Sequence, residues 1–222
     1  MKIKLISYTQ PTHEMMEEGL TEMKDLVSYC ARVSNPSHQM NTETSERLLA
    51  YLIRNKHWSP MEMVNLCFEI ETTRDIARQM LRHRSFSFQE FSQRYADPTD
   101  QFVIREARYQ DQQNRQNSIP LDDTEQSSQL TKEWEERQQR LIDHAKETYQ
   151  WAIENGIAKE QARCVLPEGN TVSRLYMNGT LRSWIHYIEL RSSNGTQKEH
   201  MEIAKACATI ISAMAILPQG TV

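Results

Sequence analysis

Apolar and polar positions alternate along residues 2–8, Lys-Ile-Lys-Leu-Ile-Ser-Tyr, and predict a first strand. The period then lengthens to that of a helix over about 20–33, where Leu20, Met23, Leu26, Val27, Cys30 and Ala31 recur on one side and Asn35-Pro36-Ser37 ends the run. Thr44 or Ser45 is placed to cap a second helix carrying the stripe Leu48, Leu49, Leu52 and Ile53. A turn at His57-Trp58-Ser59-Pro60 leads into a strand over 63–71. There Val64, Leu66, Phe68 and Ile70 face one way, and Asn65, Cys67, Glu69 and Glu71 the other. Thr72-Thr73-Arg74-Asp75 resembles a capping box opening a helix with Ile76, Ala77, Met80 and Leu81 on its apolar side. After Arg84 the period returns to two, with Phe86 and Phe88 against Ser85, Ser87 and Gln89. If the extended run continues, Glu90, Ser92 and Arg94 project together.

Between Ala96 and about Gln129 the periodicity disappears. Polar stretches such as Gln110–Asn117 predict an exposed, mobile excursion without chemistry, with Phe102-Val103-Ile104 as a short strand candidate. Helical phase resumes over 130–155, with Leu130, Trp134, Leu141, Ala145, Thr148 and Ala152 in phase and charges outside, as in a solvated brace ending at Asn155-Gly156. Thr171–Met177 predicts a strand and Thr180–Leu190 a helix, one stripe of which carries Arg182, His186 and Glu189. A last helix over about 197–216 buries Ile203, Cys207, Ile210, Ile211 and Met214 and stops at Pro218. Neither repeats nor a linker interrupt the chain. The expectation is one α+β domain, an antiparallel sheet with helices packed on it.

The 222 residues suffice for a real core. A net charge of -4 argues against a general nucleic-acid binder. No apolar run reaches the roughly 20 residues that span a bilayer, and the N-terminus lacks a signal-peptide pattern. Four widely spaced cysteines, without Cys-x-x-Cys, suggest neither a metal site nor a disulfide framework, and fit reduced thiols in a cytoplasmic setting. The absence of Gly-x-Gly-x-x-Gly disfavours a Rossmann fold.

Against this acidic background, Arg82-His83-Arg84 through Arg94-Tyr95 concentrates three arginines, a histidine, a carboxylate and three serines within fourteen residues. Gln79, Arg82 and His83 lie at i, i+3 and i+4, hence on one helical face. A helix end that delivers cations and an amide, followed by hydroxyls, Glu90 and another arginine, suits an anionic ligand with amide or carbonyl edges, such as a nucleotide. A solvated basic turn is the plainer alternative. A non-catalytic nucleotide- or RNA-binding module stacking bases on Phe86, Phe88 and Phe91 is another.

The same stretch, Arg82-His83-Arg84, two residues, Ser87, four residues, Ser92, one residue, Arg94, resembles the signature of the flavin-dependent thymidylate synthases. His57-x-Ser59-Pro60-x-Glu62 is similar to that family's second motif, and Ala162-Arg163-x-x-Leu166-Pro167 and Gln197-x-Glu199 to further segments, so the resemblance covers nearly the whole chain. It implies a homotetramer with active sites between subunits. It also implies reductive methylation of dUMP to dTMP, with FAD as cofactor and NADPH and 5,10-methylenetetrahydrofolate as co-substrates. By the same resemblance FAD is met by Ser59, Arg82, His83, Arg84, Glu90, Thr180, Leu181, Arg182 and His186. The nucleotide is met by Gln79, Arg82, Glu90, Phe91, Ser92, Gln93, Arg94, Arg163 and Arg191, and the folate by His57. Arg191 is the implied catalytic residue, polarising the uracil. By position alone it is a cation closing a helix at its negative end. Thr180 and His186 stand where relatives carry Asn, and Gly195 where some carry a flavin-contacting histidine. Cys164 lies in no context that lowers a thiol pKa and is assigned to packing.

Overall fold

The computed structural model describes residues 1–99 and 101–214. Its centre is a four-stranded antiparallel sheet in the order β1, β2, β6, β3, formed by Lys2–Tyr8, Asn65–Thr73, Val172–Thr180 and Phe86–Glu90. The helices are α1 (His13–Glu17), α2 (Met23–Ala31), α3 (Ser45–Arg54), α4 (Arg74–Met80), α5 (Glu125–Glu154), α6 (Lys159–Ala162), α7 (Leu181–Arg191) and α8 (Lys198–Ala213). A hairpin of β4 (Arg108–Gln110) and β5 (Ser118–Pro120) stands apart from the main sheet. The α+β architecture with helices packed on an antiparallel sheet is therefore as expected.

Strict alternation along β2 determines the core. Leu66, Phe68 and Ile70 are fully buried, and across β6 they meet Gly179, Met177 and Leu175. On the opposite face the Tyr176 hydroxyl donates to Glu69 at 2.9 Å, and Arg174 pairs with Glu71 at 3.5 Å. Trp184 of α7 inserts under the sheet, donating its indole N–H to the Leu66 carbonyl at 3.1 Å while its ring meets Phe68 and Phe86. Gly179 makes this possible. A Cβ there would stand 2.5 Å from Cε1 of the Phe86 ring, closer than any real contact.

Several expectations need correction. Residues 13–17 form a short helix that the pattern did not signal, and the helix expected over about 20–33 is confined to 23–31. Thr44 and Thr73 stand at the N-cap positions as expected, but neither side chain caps its helix: Thr44 Oγ1 accepts from Arg32 at 2.7 Å, and Thr73 Oγ1 turns to Asp75 and Arg105. The extended run ends at Glu90, because residues 92–95 form a turn in which Tyr95 N–H donates to the Ser92 carbonyl. Helix α4 ends at Met80, so Arg82 and His83 lie beyond it rather than on its face.

The excursion is also more ordered than its composition suggests. Arg105 exchanges backbone hydrogen bonds with the Gln138 side chain at 2.8 and 2.9 Å. Its guanidinium holds Thr73, both Asp75 oxygens and the Gly169 carbonyl. The strand expected at 102–104 is reduced to a single bridge from Phe102 to Thr171. Helix α5 presents a partly different face from the one predicted. Ala145 and Ala152 are buried as expected, but they are joined by Gln138, Ile142 and Tyr149, whereas Leu130, Trp134 and Leu141 are exposed and Thr148 is half-buried. Cys164 lies exposed on a 3-10 turn and packs against no core, while Cys207 is the buried thiol, pushed up to about 12 by burial. The predicted stop at Pro218 lies outside the described residues.

Candidate active site

The turn between α4 and β3 brings together residues distant in sequence. His83 folds inward over Tyr187, with ring centroids 5.0 Å apart, and accepts a hydrogen bond from Nε of Arg191 at 2.9 Å. Arginine can only donate, so His83 Nε2 carries a lone pair and Nδ1 the proton. Burial, reinforced by the Arg191 charge, lowers the His83 pKa to about 4, so the ring is neutral near pH 7. Arg191 itself is half buried, and among the described residues no carboxylate pairs with it. Arg82 and Arg84 of the same turn are exposed and likewise lack an ion-pair partner among the described residues.

Behind this turn lies a buried polar network. Gln79, in the last turn of α4, donates to Gln197 at 2.8 Å, and its other amide atom faces His200 at 3.3 Å. His200 is fully buried and reaches the Tyr187 hydroxyl at 3.1 Å. Burial, with the charge of Arg191 and the neighbouring His83, lowers its pKa to about 3. Tyr187, His200 and the contact of Gln197 with Gln79 were not foreseen as site features. Their partners lie up to 121 residues apart, beyond any local period.

Residues assigned to the flavin gather at the start of α7. Thr180 caps that helix, accepting from the Ser183 N–H at 3.1 Å. Leu181 sends its side chain into the core and its N–H to the Val64 carbonyl at 2.9 Å. Arg182 forms an ion pair with Glu62 on the turn headed by Ser59, and the His186 ring stands edge-on to Trp58 at 4.5 Å. Ser59 and His57 are exposed, the latter against Tyr51 at 6.0 Å.

The remaining candidates lie at the far end of β3. Glu90 accepts from Ser173 at 2.7 Å and from Arg74 at 3.4 Å. Phe91 is exposed, and Ser92 Oγ accepts from the Arg94 N–H at 3.3 Å. Gln93 is buried, with no partner for its Nε2 among the described residues. Arg94 approaches Glu160 at 3.8 Å, and Arg163 donates to the Glu160 carbonyl at 3.3 Å, so these two arginines share one neighbourhood. A five-residue strand spans roughly 17 Å. Arg94 and Arg163 thus stand at one end of β3, and Arg82, His83 and Arg191 at the other.

The sequence profile of the family described as "Thymidylate synthase complementing protein" matches residues 15–218. A "Probable flavin-dependent thymidylate synthase" of Paramecium bursaria Chlorella virus 1 is 50% identical over 210 residues, which is 95% of this chain and 93% of that protein. The chain belongs to the flavin-dependent thymidylate synthase family. Synechocystis sp. has a flavin-dependent thymidylate synthase 49% identical over 211 residues, covering 95% of this chain and 94% of that one. The fold is shared with the crystal structure of a UMP/dUMP methylase, PolB, of Streptomyces cacaoi bound with 5-Br dUMP. That likeness has a TM-score of 0.77 at 24% identity and covers 96% of this chain and 90% of the other. The same methylase bound with 5-Br UMP gives 0.75 at 25% identity, covering 96% and 89%. Family membership makes this chain an enzyme and sets aside the non-catalytic binding module.

Proposed function

We propose that the protein methylates dUMP reductively to dTMP, using 5,10-methylenetetrahydrofolate as carbon donor, NADPH as reductant and FAD as cofactor. The observation that carries this reading is Arg191, a half-buried guanidinium without a carboxylate partner among the described residues, oriented through Nε by a neutral histidine. The names of the relatives and the brominated nucleotides bound by the Streptomyces methylase support it.

Methylation at C5 of uracil requires negative charge on the pyrimidine. An arginine carries its charge at any ordinary pH, and with Nε committed to His83 the two Nη groups of Arg191, without partners among the described residues, can face an anionic N3, O2 or O4. His83, held neutral, orients that fork without competing for its charge. The donors fit FAD. Arg82 and Arg84 are exposed cations with no internal partner among the described residues, suited to its diphosphate, with Ser59, Thr180, Arg182 and His186 alongside. FAD, when bound, supplies the hydride-transfer chemistry. Gln79, Arg94, Arg163, Ser92 and the buried amide of Gln93 hold the nucleotide.

Assembly follows from the same reading. The nucleotide-binding arginines are separated by the length of β3, and α5 exposes Leu130, Trp134, Leu141 and Trp151, which supports a homotetramer with sites shared between subunits; its proposed location is the cytoplasm. Among the described residues no helix is long and apolar enough to cross a membrane. The test is the visible spectrum of purified or FAD-titrated protein, followed by dTMP formation that requires dUMP, NADPH and the folate together. Absence of FAD binding over ordinary salt and pH would overturn the proposal.

A further inference from the structure

Five side chains form a single hydrogen-bonded file behind the site, and its direction follows from one end. Burial pushes the Glu199 carboxyl up, but Arg108 and Arg105 outweigh that and hold it below the usual carboxylate range. A carboxylate only accepts, so Gln197 donates Nε2–H to it at 3.0 Å. Gln197 then offers its Oε1, to which Gln79 donates Nε2–H at 2.8 Å. Gln79 is left with Oε1 toward His200, so His200 donates Nδ1–H at 3.3 Å. The lone pair of His200 therefore lies on Nε2, where the Tyr187 hydroxyl donates at 3.1 Å. Reversing any one member sets two acceptors or two donors face to face inside the protein, where an unmatched polar group costs most.

This fixed polarity determines what Gln79 presents. Both of its amide atoms are engaged, and the group left over is the second hydrogen on Nε2, on a residue only half buried. We propose that His200, as the neutral δ1-protonated imidazole, is a positioning residue that holds Gln79 as a hydrogen-bond donor to an acceptor oxygen of the bound nucleotide. The inference rests on the dUMP reading above. It adds that the Arg105 and Arg108 segment acts at a distance, by keeping Glu199 an acceptor.

The test combines two measurements on the full-length, FAD-loaded protein. Long-range nitrogen-detected NMR of native protein should show His200 protonated on Nδ1 and bare on Nε2; the ε2 tautomer would overturn the proposal. Equilibrium binding of dUMP is then compared in native protein, His200→Leu and His200→Asn. The Leu variant should bind dUMP about tenfold more weakly, the usual scale of one lost neutral hydrogen bond. Its FAD spectrum should be unchanged. The Asn variant, whose amide N–H can replace Nδ1–H, should stay within about threefold of native. Native affinity in the Leu variant, or equal loss in both variants, would refute the assignment. If native protein bound FAD but no dUMP, the proposed reaction would fall, and the tautomer would still decide the polarity of the file.

Discussion

Replacing Arg191 by Lys separates its chemistry from its place at a helix terminus. The lysine keeps a cation at the C-terminal end of α7, and with it most of a dipole benefit of roughly 0.3–1 kcal/mol. It loses the Nε donor to His83, a bond of 2.9 Å. Such a charge-assisted bond contributes about 1.5–3 kcal/mol, of which the lysine's own N–H groups recover part, leaving a net loss of about 1 kcal/mol. For a chain of this size that corresponds to a melting shift of only about 2–4 °C. The catalytic loss should be much larger, because the planar fork that meets two acceptors of uracil is gone. Removing one preorganised donor typically costs about 100-fold or more in turnover, roughly 3–4 kcal/mol of transition-state stabilisation. Stopped-flow reduction of the flavin by NADPH, followed beside dTMP formation, distinguishes the two roles. Flavin reduction should persist while dTMP formation collapses. Near-native dTMP formation by a folded, FAD-loaded Arg191→Lys protein would refute the reasoning, and equal loss of both half-reactions would mark Arg191 as structural.

Gly179→Ala should destabilise the fold by about 1–3 kcal/mol through overpacking, since the Phe86 ring is confined by Trp184 and Tyr187; unchanged urea unfolding would contradict this. Arg105→Ala removes the counter-charge of Asp75 and part of that of Glu199 at a partly buried site and should cost roughly 1.5–3 kcal/mol, the scale of hydrogen bonds to charged groups. Limited proteolysis should then cut within 96–129 well before the native protein is cut. Acid sensitivity should begin early. His83 and His200 titrate near 6.5 when unfolded but at about 4 and about 3 when folded, so the unfolded state binds more protons and stability falls as pH drops below 6.5 toward 4. Urea midpoints at pH 7 and 5 for native protein and His200→Asn check this, and equal slopes for the two would count against it.

The parts of the fold legible in the sequence were those where one local period decides burial. In β2, alternate residues face a closed core and a polar surface, so the pattern and the strand agree within two residues. On α5 the same logic placed Ala145 and Ala152 correctly but the large apolar residues wrongly. Leu130, Trp134 and Leu141 were counted as inward because they are apolar, yet the helix buries Gln138. That glutamine is acceptable inside because it exchanges hydrogen bonds with the Arg105 backbone, 33 residues away, and accepts from Asn170. Local hydropathy cannot report a partner that distant. The excursion was misjudged for the same reason: its polar composition suggested solvent, but Arg105 and Arg108 spend their charge on Asp75 and Glu199.

The candidate site shows both cases. The residues proposed to bear the chemistry are named by the Arg82 to Arg94 signature, because residue type and spacing are recorded in the chain. How they divide in space was not visible, because the predicted strand ran on past Glu90. The turn at 92–95 changes that arithmetic. With β3 limited to 86–90, roughly 17 Å of strand keeps Arg94 and Arg163 from Arg82 and Arg191. The two groups of arginines therefore leave the sheet at opposite ends of one edge strand. Either only one end binds substrate, or the second end serves a site completed by another copy. The latter is the arrangement proposed above. Arg82, Arg84 and Arg191 at one end have no carboxylate partner among the described residues, and Arg94 at the other has only a distant one at 3.8 Å. Arg82 and Arg84 are proposed to meet the FAD diphosphate, so the shared-site proposal rests on Arg191 at one end and the Arg94 and Arg163 pair at the other, and a monomer fully active in dTMP formation at assay concentration would refute it.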